Sequence, residues 1–269
     1  MSNNTTHIAF YCVNYHSYDS LYNYLASIEK AAQHAGNTVM TDVIIADNSK
    51  PTQNIDYTPQ HFSLRTLTTG ENKGYFGAVR HAMLAITPQA YDYVIISNVD
   101  VLLAKEFLKN LATQITSIDT GWIAPQIYSS IEQRDRNPKI LCRYAKKRLE
   151  VLRFLFHFPP LYNLYTLTAY KRKRWERHDA GNIYAGHGSF IILTREYFLR
   201  CGIIDYPVFL FCEEIYLGEQ CQKHGLKVTY TPQLCVHDAE HASTGRFRRS
   251  TYCHYNYEAI NYILDTFYR

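Results

Sequence analysis

The sequence predicts an α/β protein with a mostly parallel central sheet flanked by helices. Three observations carry that expectation. First, β-branched apolar runs alternate with segments of helical periodicity, the pattern of a parallel sheet covered on both faces. Second, two of these runs end abruptly in acids and amides: Tyr93-Val94-Ile95-Ile96-Ser97 runs into Asn98-Val99-Asp100, and Val43-Ile44-Ile45-Ala46 into Asp47-Asn48-Ser49. The carboxyl ends of strands in open α/β sheets are where ligands bind. Third, one segment breaks the alternation. Lys139 to His178 holds eleven Lys/Arg against two Asp/Glu, while the rest of the chain has 17 basic and 22 acidic residues.

Taken in order, Ile8–Val13 reads as a first strand. Leu21–Ala35 reads as a helix with Asp19 or Ser20 as N-cap. Val43–Ala46 and Phe62–Leu67 are the next strands, and Gly70 to Gly77 is a glycine-bearing loop before a helix over Ala78–Ala85. Tyr93–Ser97 is a strand, Phe107–Ile115 a helix and Gly121–Pro125 a strand. Order resumes after the basic segment with a strand at Phe190–Leu193, a helix from Glu196 and a helix over Ile215–His224 closed by Gly225. A strand at Val228–Tyr230 and a tyrosine-rich amphipathic helix over Thr251–Arg269 complete the chain. The organisation expected is one domain over residues 1–250, with a basic, aromatic helical insertion at about 135–180, and a C-terminal helix over 251–269.

With 269 residues, 46% of them hydrophobic, the chain can bury a large core. Its seven cysteines are scattered without a CxxC, which argues against disulfides and structural zinc. Met1 to Thr6 lacks a basic signal-peptide start, and no apolar run reaches the roughly eighteen residues of a membrane span. The expectation is a cytoplasmic protein.

Each polar cluster admits two readings. Asp47-Asn48-Ser49 makes either a turn, since all three residues bond their own backbone, or a contact to a base or ribose. Asn72-Lys73-Gly74-Tyr75-Phe76-Gly77 is either an ordinary βα turn or a phosphate-binding backbone before a helix N-terminus, with Lys73 and Arg80 at hand. Asn98 and Asp100 fall on the same side of an extended chain, so both oxygens can face one hard cation; a solvated strand end does as well. Glu213-Glu214 opens a helix, where the dipole favours acids, and one carboxyl raised by burial and by its neighbour suits a general base. His237 ends the apolar stretch Leu234-Cys235-Val236, and an imidazole there would favour manganese over magnesium.

Together and in order these segments resemble a family-2 glycosyltransferase of the GT-A (Rossmann-like) fold, of the rhamnosyltransferase-like kind that builds bacterial surface polysaccharides. The residues carrying the resemblance are Val13-Asn14-Tyr15, Asp47-Asn48-Ser49, Asn72 to Gly77, Asn98-Val99-Asp100, Gly186-His187-Gly188-Ser189, Glu213-Glu214 and His237, within about residues 7–130 and 184–245. The resemblance implies an inverting, metal-dependent transfer of a hexosyl or deoxyhexosyl group from a nucleoside-diphosphate sugar to a glycan or lipid-linked acceptor. It assigns Glu214 as catalytic base and Glu213 as the residue that orients the acceptor or the base. Asn14, Asp47, Asn72, Lys73, Gly74, Arg80 and Asn98 become nucleotide-binding residues, with Arg246 or Arg248 as further cations for the diphosphate. Gly186, His187 and Gly188 form the acceptor loop, and Asp100 with His237 holds Mn2+ or Mg2+. Asn98 stands where the pattern has an acid, and Glu-Glu where Glu-Asp is common.

The basic segment alternates cations with aromatic and aliphatic residues, as in Arg153-Phe154-Leu155-Phe156-His157-Phe158. A contact with the anionic inner face of the membrane and a homodimer interface are the two readings it supports; nucleic acid is not expected. Two rival functions are a nucleotidyltransferase, for which Ile8 to Ser20 lacks the usual glycine- and lysine-rich activation segment, and a non-catalytic sugar-binding protein descended from the enzyme.

Overall fold

The computed structural model describes residues 5–168, 177–238 and 247–269. Its strands are β1 (Thr6–Asn14), β2 (Val39–Asp47), β3 (Ser63–Thr68), β4 (Tyr93–Asn98), β5 (Val101–Leu103), β6 (Thr120–Ser129), β7 (Arg134–Asp135), β8 (Gly181–Ile183), β9 (Phe190–Thr194) and β10 (Lys227–Asp238). The helices are α1 (Tyr18–Ala35), α2 (Tyr75–Ala85), α3 (Phe107–Ala112), α4 (Lys146–His157), α5 (Pro159–Thr168), α6 (Arg195–Cys201), α7 (Glu213–Lys223) and α8 (Arg249–Phe267). The strands form one sheet of order β3-β2-β1-β4-β9-β6-β10-β5, with β7 beside β6 and β8 beside β10.

Alternation along the strands produces a core on each face. Ile8, Phe10 and Cys12 of β1 point into one core, which α1 and α3 cover through Leu21, Leu25, Ile28, Phe107 and Leu111. Ala9, Tyr11 and Val13 point into the other, covered by α2, α6, α7 and α8 through Val79, Met83, Tyr197, Leu217 and Ile260. Every residue from Ile8 to Asn14 is buried, so β1 is the axis of the layers.

The long ladders β3-β2-β1-β4 and β6-β10 are parallel, as the alternation of elements requires. β9 departs from that rule and runs antiparallel between β4 and β6. Its apolar run is buried on both faces, so its sequence is indistinguishable from that of a parallel strand. Three element ends also move. α1 begins at Tyr18, with Ser17 as N-cap in place of Asp19 or Ser20, because the Asn14 side chain accepts the Ser17 N–H at 3.2 Å. α3 stops at Ala112 rather than Ile115, which is 94% exposed and has nothing to pack on. β10 continues past Pro232 to Asp238, its register against β6 shifting between Thr231 and Cys235 at an irregularity that accommodates the proline. Gly225, with φ +67°, ends α7 as its spacing predicts.

The basic insertion packs inward through Leu149 and Phe156 of α4, in the same core as Ile260 and Ile263 of α8. A polar knot secures it. Arg143 donates to both oxygens of Glu219 on α7, at 2.7 and 2.9 Å, and to the Phe267 carbonyl at 3.0 Å. Tyr184 donates to Glu219 Oε1 at 2.7 Å, and the Arg143 guanidinium lies 4.0 Å over the Tyr268 ring. Glu219 is buried, whereas the Arg143 side chain is 37% exposed, so solvent screens part of the pair. Glu219→Ala should lower unfolding stability by about 2 kcal/mol in urea denaturation, and a midpoint unchanged from the parent would show that the knot is dispensable.

Candidate active site at the carboxyl edge of the sheet

The ends of β1 and β2 are in register, Asn14 opposite Asp47. Asp47 is fully buried and its carboxylate accepts from Asn14 Nδ2 at 3.1 Å, Ser49 N at 3.1 Å and Tyr18 Oη at 2.9 Å. Asn48 reaches the other way, donating to the Gly74 carbonyl at 2.8 Å and accepting from Thr69 Oγ1 and the Lys73 N–H. The Asp-Asn-Ser segment is thus a bracket that ties two strand ends and the start of α1 to the glycine loop.

Within that loop, Asn72 Oδ1 accepts the Gly74 N–H at 3.0 Å. Gly74 has φ +74°, and a Cβ there would fall 1.9 Å from the Phe209 carbonyl oxygen, so only glycine lets the loop approach the turn before α7 this closely. Both nearby cations have acidic neighbours: Lys73 lies 2.8 Å from Glu71 and Arg80 lies 3.0 Å from Asp205.

The acidic pair is delivered by a strained turn. Phe211 and Cys212, with φ of 75° and 62°, are successive non-glycine residues in the left-handed region. Tyr206 fixes the turn by donating to the Phe211 carbonyl at 2.7 Å. Glu213 Oε1 accepts the Phe211 N–H at 3.0 Å, and its carboxyl is pushed up to about 8 by burial and by the charge of Glu214. Glu214 Oε1 accepts the Gly188 N–H at 3.2 Å, while the Gly188 carbonyl accepts from Tyr75 Oη at 2.9 Å. Gly188 is therefore held from both sides. The Tyr75 phenol is raised well above its ordinary range, by burial first and then by the charges of Glu213, Tyr24, Asp100 and Glu214.

The loop Gly186–Ser189 is fastened elsewhere too. Ser189 accepts the Asn98 N–H through its carbonyl at 3.0 Å, and Asn137 Oδ1 accepts the His187 N–H at 2.8 Å. His187 Nδ1 lies 3.2 Å from the Ser189 N–H and 2.9 Å from its hydroxyl, and burial, Lys139, Arg136 and Arg134 hold the imidazole neutral, well below its ordinary value. Gly186 is required for packing, since a Cβ would stand 2.7 Å from Ala124 and 2.9 Å from Trp122.

The remaining residues singled out in the sequence lie on β10 and before α8. His237 is exposed on β10, opposite Leu102 of β5, and its ring stacks edge-on with Tyr128. No group of three or more His, Cys, Asp and Glu gathers among the described residues. Arg248 is the N-cap of α8, and Arg246 lies outside the described residues. Sequence reasoning missed Tyr75, Tyr18 and Asn137. Tyr75 lay inside a quoted motif but was read only as loop, and Asn137, in an Asn-Pro turn signal, fell at the edge of the insertion.

The fold is shared with solved GT-A glycosyltransferases. A mannosyltransferase from Pyrobaculum calidifontis, in complex with GDP-Man and Mn2+, aligns with TM-score 0.51 and 14% identity, covering 88% of this chain and 58% of the other. Staphylococcus aureus TarS 1–349 aligns with TM-score 0.53 and 10% identity, over 86% and 60%. GalNAc-T7 with UDP, GalNAc and Mn2+ aligns with TM-score 0.55 and 12% identity, over 87% and 44%. The chain thus spans less than two thirds of these structures. The glycosyl transferase family 2 profile matches residues 12–200, and the chain belongs to that family. An N-acetylglucosaminyl-diphospho-decaprenol L-rhamnosyltransferase of Mycobacterium tuberculosis (strain CDC 1551 / Oshkosh) is 27% identical over 252 residues, 87% of this chain and 76% of the relative.

The raised Glu213 carboxyl has a consequence for stability. The folded state keeps a proton that the unfolded chain releases above about 4.5, so stability falls as pH rises from there to about 8. Glu213→Gln should flatten this decline, by about 5 kcal/mol at about 1.36 kcal/mol per pH unit, in melts taken across that window. His187, whose depressed value works in the opposite sense, is common to both proteins. An equal slope in parent and variant would mean that Glu213 is ionised in the folded state.

Proposed function

We propose that this chain transfers a sugar, with inversion, from a nucleoside-diphosphate sugar to a hydroxyl of a glycan or lipid-linked acceptor in surface-polysaccharide assembly. The observation that carries this reading is the arrest of the Gly186–Ser189 loop against Glu214 and Tyr75. The names of the relatives support it. One bears an acceptor that is a sugar diphospho-lipid, and two solved neighbours hold a nucleotide or nucleotide sugar with Mn2+.

Burial keeps Glu213 protonated, which leaves Glu214 as the charged member of the pair. One Glu214 oxygen is occupied by the Gly188 N–H, and the other is the base for the acceptor. As Glu214 takes the hydroxyl proton, the acceptor oxygen bonds to the anomeric carbon. The bond from that carbon to the diphosphate breaks on the opposite face, and its electron pair leaves with the diphosphate. Neutral His187 adds no charge to the loop that receives the acceptor.

The proposed donor set is the Asp100 carboxylate with His237, which pairs with Leu102 two residues further along the chain, and the Asn98 amide two residues before Asp100. That fits a hard divalent ion, Mn2+ or Mg2+, whose remaining ligands are phosphate oxygens and water. When bound, such an ion offsets the charge of the departing diphosphate. The assignments of Asn14, Asp47, Asn72, Lys73, Gly74 and Arg80 to the nucleotide are part of this proposal. Their hydrogen bonds support a role in shaping the donor pocket.

Glu214→Gln should lower kcat at least about a hundredfold while the protein still binds donor in a thermal-shift titration. Near-normal turnover would remove Glu214 as base, and a product of retained anomeric configuration by NMR would overturn the inverting step.

A further inference from the structure

The inward faces of α4 and α5 are used, and their outward faces are not. Val151, Phe154, Phe158, Leu161, Leu164 and Leu167 are 51, 56, 43, 42, 56 and 85% exposed among the described residues. Val151, Phe154 and Phe158 recur at helical spacing, so they form a stripe opposite the packed Leu149 and Phe156. A groove of about 310 Å3 lies beside this stripe, with Lys147 and Arg148 at one end and Leu152, Leu155 and Tyr165 along it.

The charges on α4 run against its own stability. Its first turn carries Lys146, Lys147 and Arg148 and no acid, which puts three cations at the positive end of the helix dipole. A face that breaks a local rule on both counts, exposed apolar surface and misplaced charge, is accounted for by what it meets. Exposed aromatic and aliphatic side chains rimmed by lysine and arginine suit the boundary between lipid headgroups and acyl chains. A symmetric dimer through the same face would instead set two strongly basic segments against each other. The segment is also attached to the site. Ile140 N–H bonds the Ala185 carbonyl at 3.0 Å, so the basic stretch starts beside the Gly186–Ser189 loop and leads away from it to α4.

We propose that the outward face of α4 and α5 docks on an anionic lipid bilayer, with the apolar stripe in the headgroup region and Lys147 and Arg148 on lipid phosphates. This goes beyond the transfer reaction and does not depend on it.

The test is flotation of the full chain with phosphatidylcholine vesicles, with and without phosphatidylglycerol. Recovery with the anionic vesicles, at least about tenfold above that with neutral ones and reduced by salt, is expected. Phe154→Ser with Leu164→Ser should lower it about tenfold, as should Lys147→Glu with Arg148→Glu, the two cations that line the groove. The second pair places acids at the positive end of the helix dipole, and its melting temperature, read beside its flotation, tells lost binding from unfolding. Glu214→Gln should float like the parent, which separates this proposal from the fate of the proposed reaction. No recovery, equal recovery on neutral vesicles, or recovery indifferent to both variant pairs would overturn the proposal. So would a concentration-dependent dimer abolished by Phe154→Ser with Leu164→Ser, or retention on RNA in place of vesicles.

Discussion

Coverage of both sheet faces is the constraint from which the rest of this structure follows. Ile8 to Val13 on β1 and Val94 to Ile96 on β4 have core on either side, so those strands offer no room for an unpaired polar group along their length. Polar chemistry is displaced to the strand ends, where the backbone leaves the ladder. Asn14, Asp47, Asn98 and Asp100 lie there for that reason, and the helices that seal the faces bring Tyr75 and the acidic pair to the same edge.

The elements set by local chemistry were legible before the fold was known. The period-two apolar runs located the principal strands, and Gly225 located the end of α7. The acidic tips were correctly read as strand ends. What was not legible depended on partners distant in sequence. β9 enters the sheet antiparallel, but a strand buried on both faces carries no mark of its direction. The start of α1 moved because Asn14, on the preceding strand, supplies the acceptor that Asp19 or Ser20 was expected to bring. Within the site, Asp47-Asn48-Ser49 makes the turn-like bond its composition allows and also anchors the glycine loop, a link to a distant segment that composition does not reveal. Tyr75 escaped notice because its hydroxyl acts on Gly188, far along the chain.

The acidic pair shows how two identical side chains acquire different roles. Glu213 is folded back under a left-handed turn and loses its solvent, whereas Glu214, one residue on, stays half-buried against the loop. The difference arises from backbone strain at Phe211 and Cys212 that Tyr206 helps to hold. At the other end of α7, Glu219 is gripped by Arg143 and Tyr184, so the helix carrying the pair is fixed at both ends.

Gly188 has two soft torsions, one on each side of its α-carbon, and no side chain to restrict them. The hydrogen bond that Gly188 N–H donates to Glu214 restrains the peptide plane before it, and the one its carbonyl accepts from Tyr75 restrains the plane after it. At Gly188 the stiffness of the loop is therefore borrowed from these two residues. In the reaction proposed above, Glu214 becomes a weaker acceptor once it has taken a proton, because hydrogen bonds to neutral groups are weaker than those to ions. One of the two hinges then slackens as the new glycosidic bond is made, so the grip of the loop is firmest on an unreacted hydroxyl and eases on the finished glycan.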